Sequence, residues 1–555
     1  MEVQKIIDPE LDVKHDLQRN HMAFVGPERK TLHISASSNY GGPLGTLNPG
    51  QCTFEVQPPK ASTLVSRDIS TRFFLHITTT GDFNLSHGGI GTTACFRQFP
   101  INSVLDSIQL SVNGESISDN ISQKIHPLLC YGNTPLDRSK HWSRTPSSPD
   151  SYQLYDDDSK FGNARSPMNS YGSTFEGGRG FYLDPSQTND GQNLHVVITE
   201  PLMISPLLQQ LGKDEEALCH LDSFNVTMRF ESNKWGRVMS LRTASTALTD
   251  LNVAFYKAPE LHLNYLSVHP TIALPTTQTL PYKKHLDYVK GGTTVAPNAT
   301  AEIVLDTVRL SCVPERVYLF CANARGSRDA KTSDSFLCID GVSVTFENKT
   351  GLLGSCSPQD LYSMSVNNGC NLTYPEFTNF RGSVLCIDFS RDLGLAEGYA
   401  PGVRGNYSVQ ITLRVRNSST ANFTYEAWQS FVLPGTFEIM PGAARANVGN
   451  LSEVDVLTAT ESVGYYDVYP GAVYGGSFWG SLKHIVNKGA RFVQKAIPIA
   501  QDVAKVIPGV GSQASKYIGM AGQAAGVARS LTGGQLSSGG ALNTGGGVML
   551  RYKRK

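Results

Sequence analysis

The alternation of apolar and polar residues between 405 and 417 constrains this chain more than any other stretch. Every second residue there is apolar and mostly β-branched, and the residues between them are polar or charged. Successive side chains of a β-strand point to opposite faces, so the pattern predicts a strand with one face in a core and one in water. The residues expected to be buried are Tyr407, Val409, Ile411, Leu413 and Val415.

A similar pattern occurs earlier in the chain, and two other segments recur with it in the same order. Residues 222–233 repeat the alternation, with an aromatic residue, then Val, then two larger apolar residues at alternate positions. A single pair of similar strands can arise by chance in two sandwiches, but a shared order indicates two copies of one all-β module. The other similar segments are 106–114 with 340–348 and 193–200 with 382–389, and each set also contains a short predicted helix, 121–129 or 358–364.

The strand patterns fall into two blocks and divide the chain into regions. Asn113 and Gly114 directly follow an alternating run, which predicts a tight hairpin. Prolines between the blocks are expected to interrupt regular strand pairing, with one bridging strand around 261–265. The predicted regions are an irregular N-terminal arm (1–48), a first sandwich (49–258) with a long loop insert (131–192), a connector (259–300), a second sandwich (301–434), a linker (435–477), an amphipathic helical tail (478–530) and a flexible Gly-rich basic end (531–555).

Composition and motifs argue against several classes of function. The formal net charge is zero, so the chain as a whole does not indicate a strongly acidic or basic partner. Phosphate-loop, HExxH and GxSxG signatures are missing, and the histidines do not show metal-ligand spacing. We therefore expect no enzyme, metal or cofactor. The ten cysteines include no CxxC pair and are expected to be reduced, buried thiols of a protein made in the cytosol or nucleus.

The C-terminal region changes character and predicts a basic amphipathic helix from 478 to about 497. Small residues with GxxxG spacing follow at Gly522 and Gly526, a pattern of close helix contacts. Two interpretations remain open: the tail contacts membrane lipid or lines a shell, or it packs on its own protein or a partner. The candidate membrane-contacting residues are Phe478, Trp479, Leu482, Lys483, Ile485, Lys488, Arg491 and Phe492.

The last five residues carry the one local run of positive charge. This run could contact nucleic acid, act as a nuclear import signal, or be only a solvated chain end. The candidate nucleic-acid-binding residues are Arg551, Lys553, Arg554 and Lys555.

Two tandem sandwiches, a proline-rich connector, long loops in the first copy and the lack of enzyme motifs resemble one protein family. The segments that carry the resemblance are 99–114, 342–352, 382–389 and 405–417. They are similar to the double jelly-roll major capsid proteins of DNA viruses. The resemblance covers about 50–434 and leaves the C-terminal tail outside it.

The resemblance implies an all-β fold of two tandem jelly rolls, followed here by the predicted helical, Gly/Ala-rich tail. It implies a homotrimer that forms a pseudo-hexagonal capsomer and tiles an icosahedral virion shell. The implied partners are the chain itself, neighbouring capsomers, and minor capsid or penton proteins, with genome and membrane lipid as candidate partners of the tail. The alternatives are a two-module jelly-roll lectin or glycan-acting enzyme and a viral spike or fibre. A lectin or enzyme usually has a signal peptide, which the charged N-terminus does not predict.

Overall fold

Antiparallel β-strands make up almost all regular structure in the computed structural model. It describes residues 30–35, 44–56, 63–81, 94–131, 182–207, 217–241, 248–267 and 274–456, apart from short gaps within these ranges. The strands up to Val448 belong to one structural unit, which ends at Glu453. They form two β-sandwiches, so the all-β prediction is confirmed.

The described residues of the first sandwich form thirteen strands. They are β1 (Lys30–Ser35), β2 (Gln51–Val56), β3 (Thr63–Ser66), β4 (Ser70–Gly81), β5 (Ala94–Phe96), β6 (Leu105–Val112), β7 (Glu115–Asp119), β8 (Tyr182–Leu183), β9 (Asn193–Pro201), β10 (Ala217–Leu218), β11 (Phe224–Phe230), β12 (Met239–Leu241) and β13 (Leu248–Ser267). The large sheet has the order β10-β3-β13-β4-β9-β8, with β1 paired to β13; it faces a sheet of order β2-β11-β6-β7, and β5 pairs with β12.

In the part of the chain that the structure describes, the second sandwich contains two five-stranded sheets. Its strands are β14 (Gln278–Val295), β15 (Thr300–Val304), β16 (Val308–Cys312), β17 (Arg316–Asn323), β18 (Cys338–Phe346), β19 (Lys349–Leu352), β20 (Val384–Asp388), β21 (Arg404–Arg416), β22 (Phe423–Met440) and β23 (Ala443–Val448). One sheet has the order β14-β22-β17-β20 with β23 paired to β22, and the other has the order β15-β21-β18-β19 with β16 paired to β21.

Helices are few and short in the described residues. The α-helices are α1 (Pro100–Val104), α2 (Ile125–Leu129) and α3 (Pro358–Asn367), and the single turns are the 3₁₀ segments Trp235–Val238 and Arg325–Ser327 and the π-helical segment Glu376–Phe380. The two short helices predicted at 121–129 and 358–364 are therefore present, as α2 and α3.

The two sandwiches are built on equivalent strand pairings. β11 lies between β2 and β6, and β21 likewise lies between β15 or β16 and β18. β6 and β18 each turn back into a hairpin with the next strand, and a helix follows. The third pair of similar segments becomes β9 and β20, which pair with β4 and β17. The predicted duplication is thus confirmed. The first hairpin turn is also confirmed, with positive φ at Asn113 (46°) and Gly114 (86°).

The central strand β21 buries four of its five predicted core residues. Val409, Ile411, Leu413 and Val415 are each 0% exposed. Tyr407 is only half-buried, so its assignment to the core is wrong; its ring stacks against Phe346 at a centroid distance of 5.7 Å. The reason is its position near the start of the strand, where the preceding residues 404–406 are exposed.

The predicted interruption of strand pairing between 259 and 300 is also wrong. β13 continues to Ser267, which includes the predicted bridging segment, and β14 begins at Gln278. Pro259 lies in β13 where the pairing register shifts between Lys257 and Glu260, as at a bulge. Pro281 lies in β14, which forms one edge of its described sheet. Bulges and edge strands tolerate a residue without an N–H donor, so these prolines do not end the ladders.

Two other predicted boundaries also differ from the structure. The N-terminal arm was expected to be irregular, but β1 adds to the large sheet through β13. The linker was expected from 435, but β22 runs on to Met440 and turns into β23, because Phe437 and Ile439 continue its buried face. Most of the long insert, the helical tail (478–530) and the basic end (531–555) lie outside the described residues.

Buried thiols, as predicted, account for eight of the cysteines whose side chains the structure describes. Burial raises the pKa of the Cys321 thiol to about 12 and that of the Cys312 thiol to about 11. Such thiols are protonated and unreactive at neutral pH. Their reduced state in the cell stays a prediction.

Candidate functional site: the seam between the sandwiches

The two sandwiches share apolar core residues where they meet. Leu280 and Tyr282 on β14 and Phe437 and Ile439 on β22 are buried within the core of the first sandwich. The rings of Tyr282 and Phe437 lie 6.3 Å apart between centroids. The second sandwich therefore contributes directly to the first core. We call this contact region, with the ionic groups described next, the seam.

Two arginines of the first sandwich and one aspartate of the second form the most buried ionic cluster of the seam. Arg97 follows β5, Arg237 lies in the 3₁₀ turn before β12, and the pairing of β5 with β12 holds the two side by side. Both guanidinium groups donate to the carboxylate of Asp334 and to the backbone oxygen of Thr332. The side chain of Arg97 is 0% exposed and that of Asp334 is 7% exposed.

Electrostatics favour the charged form of Asp334 despite its burial. Burial alone would raise its pKa, but Arg237, His126 and Arg97 hold the pKa of this carboxyl well below its usual range. His126 Nε2 lies 3.4 Å from Asp334 Oδ2 and 3.2 Å from the hydroxyl of Ser103. Removing one partner of such a buried cluster leaves a charge unpaired away from water, which costs about 3–5 kcal/mol. The cluster therefore resists separation of the sandwiches.

A small polar cavity of about 10 Å³ lies beside this cluster. Arg328, from the loop after β17, lines it and donates to the side-chain oxygen of Gln123 in the first sandwich over 2.7 Å. Lys234 Nζ in turn donates to the backbone oxygen of Arg328 over 2.9 Å. Burial and then the charge of Arg237 lower the pKa of the Arg328 guanidinium to about 10, so it remains charged at neutral pH.

A second ionic group lies where α2 meets β14. Lys124 precedes α2, its side chain is 0% exposed, and its Nζ contacts Asp119 of β7 and Asp287 of β14. The distance from Nζ to Asp287 Oδ2 is 2.9 Å. Ser430, directly opposite Asp287 on β22, donates to Asp287 Oδ1 over 2.5 Å.

Hydrogen bonds that each involve at least one backbone group join the sandwiches at further points. The Tyr131 hydroxyl donates to the backbone oxygen of Val384 over 2.5 Å, and the amide of Asn371 donates to the carbonyl of Cys130 over 2.8 Å. The amide of Lys283 donates to the Ser205 hydroxyl over 3.0 Å. These contacts are spread over several loops, so the seam fixes orientation as well as distance.

The seam joins the two sandwiches through buried apolar and ionic contacts. Within the described ranges there is no group of three or more His, Cys, Asp or Glu side chains that could hold a metal ion. Among those same residues no helix is long and apolar enough to cross a membrane. The buried carboxylate of Asp334 is engaged with Arg97 and Arg237.

Sequence reasoning did not find the seam. Arg97, Lys124 and Arg237 each lie next to an apolar residue, but Asp334 lies between two serines, so the four share no local signal of their burial. Asp334 is 237 positions from Arg97 and 97 positions from Arg237, so spacing could not connect them. The predicted membrane-contacting residues and nucleic-acid-binding residues of the C-terminal region lie outside the described residues.

Comparison with known proteins agrees with this architecture. The family model "Sputnik virophage major capsid protein 1st domain" matches residues 45–176, and "Major capsid protein V20 C-terminal domain" matches 282–381 and 378–429. The putative capsid protein V20 of Sputnik virophage is 27% identical to the chain over 98% of this chain and 96% of that protein.

Solved structures share the fold. A chain in the cryo-EM structure of the Sputnik virophage has a TM-score of 0.67 at 24% identity, covering 85% of this chain and 97% of that chain. The crystal structure of the mavirus major capsid protein has a TM-score of 0.59 at 14% identity, covering 77% and 92%.

Two equivalent jelly rolls joined by a buried seam define the double jelly-roll class of fold. The chain belongs to the double jelly-roll major capsid proteins. It is a structural capsid protein, and its homologues are virion components that assemble into capsids, which supports self-association. Family and fold point to a non-enzymatic role, and nothing in them supports the lectin or glycan-acting enzyme that the sequence left open.

Proposed function

We propose that three copies of this chain form a pseudo-hexagonal capsomer and that such capsomers tile an icosahedral shell. The observation that carries this proposal is the seam between two equivalent jelly rolls. A rigid pair of similar modules gives each subunit two similar sides, and three subunits around a threefold axis then supply six. A loose seam would not hold the six modules in one plane.

Exposed apolar residues near one sheet edge support contact with a second copy. β14 is eighteen residues long and forms an edge of its described sheet. Val289 on β14 and Val304 on β15 are 44% and 45% exposed. Lys290 Nζ donates to the backbone oxygen of Val304 over 2.7 Å, so the two valines lie in one neighbourhood. Burying such side chains against a neighbouring subunit removes apolar area from water and covers a strand edge.

Light scattering on the purified full-length protein tests the trimer. We expect a mass of three times the 60.3 kDa chain and hexagonal outlines by negative-stain electron microscopy. Val289→Asp should shift the protein toward single chains. Thr350→Asp, at an exposed position on β19, is the matched control and should leave the trimer intact. A single-chain mass for wild type at micromolar concentration would contradict the proposal.

We propose that the C-terminal regions bind two partners inside the particle. We propose that 478–530 engages membrane lipid through Phe478, Trp479, Leu482, Ile485 and Phe492, with Lys483, Lys488 and Arg491 drawn to anionic head groups. Arg551, Lys553, Arg554 and Lys555 would contact the genome. Minor capsid or penton proteins would complete the shell, and assembly would take place in the host cytoplasm or nucleus.

Vesicle leakage separates the lipid role from simple packing. Full-length protein should release dye from anionic vesicles, and a chain truncated after 477 should not. Replacing Lys483, Lys488 and Arg491 with Glu should abolish leakage without changing the mass of the assembly. Equal leakage from full-length and truncated chains would contradict the lipid role.

A further inference from the structure

Lys124, Asp119 and Asp287 form a buried triad whose chemistry can go beyond ion pairing. The Lys124 side chain is 0% exposed, and the two carboxylates are 18% and 16% exposed. A primary amine and a carboxyl group held in contact away from bulk water are the two reactants of an amide bond. Holding them within about 3 Å converts an unfavourable encounter into an intramolecular reaction.

We propose that Lys124 Nζ and the Asp287 side-chain carboxyl carbon join in an intramolecular isopeptide bond that links the two sandwiches covalently. Asp287 is the acceptor because it lies across the seam on β14 and its Oδ2 is 2.9 Å from Nζ. The product replaces two buried charges with one neutral amide. This change removes the desolvation cost that a buried ion pair carries.

Asp119 is placed to act as the proton shuttle. Its Oδ1 contacts Lys124 Nζ and also accepts a hydrogen bond from the backbone amide of Asn120 over 2.8 Å. That amide fixes the carboxylate at the end of β7. A lysine amine becomes nucleophilic only after losing a proton, and a carboxylate in contact with it can take that proton.

Asp287 is polarised from the side opposite the lysine. The Ser430 hydroxyl donates to Asp287 Oδ1 over 2.5 Å, where negative charge develops during attack on the carboxyl carbon. His285 Nδ1 lies 3.3 Å from the Ser430 oxygen. Burial and then the charge of Lys124 lower the pKa of His285 to about 3, with Lys283 adding to the effect. The imidazole is therefore neutral, and its Nδ1–H can donate to Ser430 while Ser430 donates to Asp287.

The reaction balances without any co-reactant. The Lys124 ammonium gives one proton to Asp119, and the free amine attacks the Asp287 carboxyl carbon. The new C–N bond forms, one C–O bond breaks, and the departing oxygen leaves as water after taking the proton from Asp119 and one from the nitrogen. The net change is one ammonium and one carboxylate converted to one amide and one water.

Intact mass spectrometry of the denatured full-length protein tests the bond directly. We expect a mass lower than the sequence mass by one water, and a proteolytic digest should contain one branched peptide that joins residues 124 and 287. An intact mass equal to the sequence mass, in fresh and in assembled protein, would overturn the proposal. This outcome does not depend on whether the protein forms trimers, so it is distinct from a failure of the proposed function.

Substitutions in the triad identify the role of each group. Asp287→Asn keeps an acceptor carbon and should form the same link with loss of ammonia instead of water. Lys124→Arg and Asp119→Asn should both show the unmodified mass. Lys290→Arg, whose lysine forms an exposed pair with Asp306, is the matched control and should still lose one water. A branched peptide at another lysine, or an undiminished link in Asp119→Asn, would contradict the assignment of roles.

Discussion

The core of the second sandwich and the seam stabilise the molecule in opposite ways. β21 contributes a row of apolar side chains, each fully buried, whose stabilisation depends on area removed from water. The ionic part of the seam contributes Arg97, Arg237 and Asp334, whose value depends on each charge keeping its partner. The first arrangement makes a module stable. The second makes one relative position of the two modules much more stable than other positions.

The largest expected effect comes from placing a charge in the apolar row. Ile411→Asp should lower the free energy of unfolding by about 4 kcal/mol or more, because it buries an unpaired carboxylate. Chemical denaturation measures this loss. Gln410→Asp, one residue earlier and on the other face of β21, is the control and should change stability far less. If Ile411→Asp unfolded like wild type, the assignment of this face to the core would be wrong.

Breaking the ionic cluster of the seam should lower the free energy of unfolding by a slightly smaller amount. The loss of stability should appear first at contacts across the seam. Asp334→Asn leaves Arg97 and Arg237 without their carboxylate, and we expect a loss of about 3 kcal/mol. Hydrogen exchange should rise at contacts across the seam before it rises in β11 or β21. The exposed pair is the control: Asp306→Asn should cost at most about 1 kcal/mol, since the Asp306 side chain is 74% exposed. Equal protection loss in both sandwich cores would argue against a role specific to the seam.

A pH titration distinguishes the seam from a buried carboxylate inside the first sandwich. Burial raises the pKa of Glu200 to about 7, although the amides of Ile101 and Asn102 donate to it. A raised acid pKa gives stability that is fully present below the unfolded pKa of 4.5 and is lost as pH rises toward 7. The loss is on the order of 3 kcal/mol.

Denaturation at several pH values measures how the free energy of unfolding falls as pH rises. Glu200→Gln should remove most of this fall, whereas Glu302→Gln, at an exposed position, should leave it unchanged. Asp334 should act in the opposite sense, because its lowered pKa gives stability above its unfolded pKa of 3.8 that is lost only in stronger acid. A wild-type protein whose stability is flat between pH 4.5 and 7 would contradict the account of Glu200.

The smallest effect concerns the helices that follow the equivalent hairpins. Ser357 accepts from the Asp360 amide while Asp360 accepts from the Ser357 amide, a capping box that α2 of the first sandwich does not have. Ser357→Ala should therefore cost about 1 kcal/mol. Ser355→Ala, at an exposed neighbouring position, is the control and should be close to neutral. Thermal unfolding resolves a difference of this size.

The sequence carries information about the modules but little about their junction. Alternation in 405–417 and in 222–233 predicts the two central strands, because burial on one face leaves a period of two in the sequence. Arg97 and Asp334 are 237 positions apart in the sequence, and no local pattern encodes such a pairing. The prediction that prolines interrupt strand pairing was wrong for a related reason. Pro259 lies at a bulge and Pro281 on an edge strand, and both features depend on strand pairing rather than on composition.

The apolar residues that cross the seam also affect the order in which the chain can fold during synthesis. Phe437 and Ile439 belong to the core of the first sandwich, although most of that sandwich is encoded before residue 268. A ribosome therefore releases nearly all of the first sandwich well before the last side chains of its core emerge. The first sandwich is complete only when β22 has left the exit tunnel. The seam is therefore completed late, after the chain is long enough to form both sandwiches.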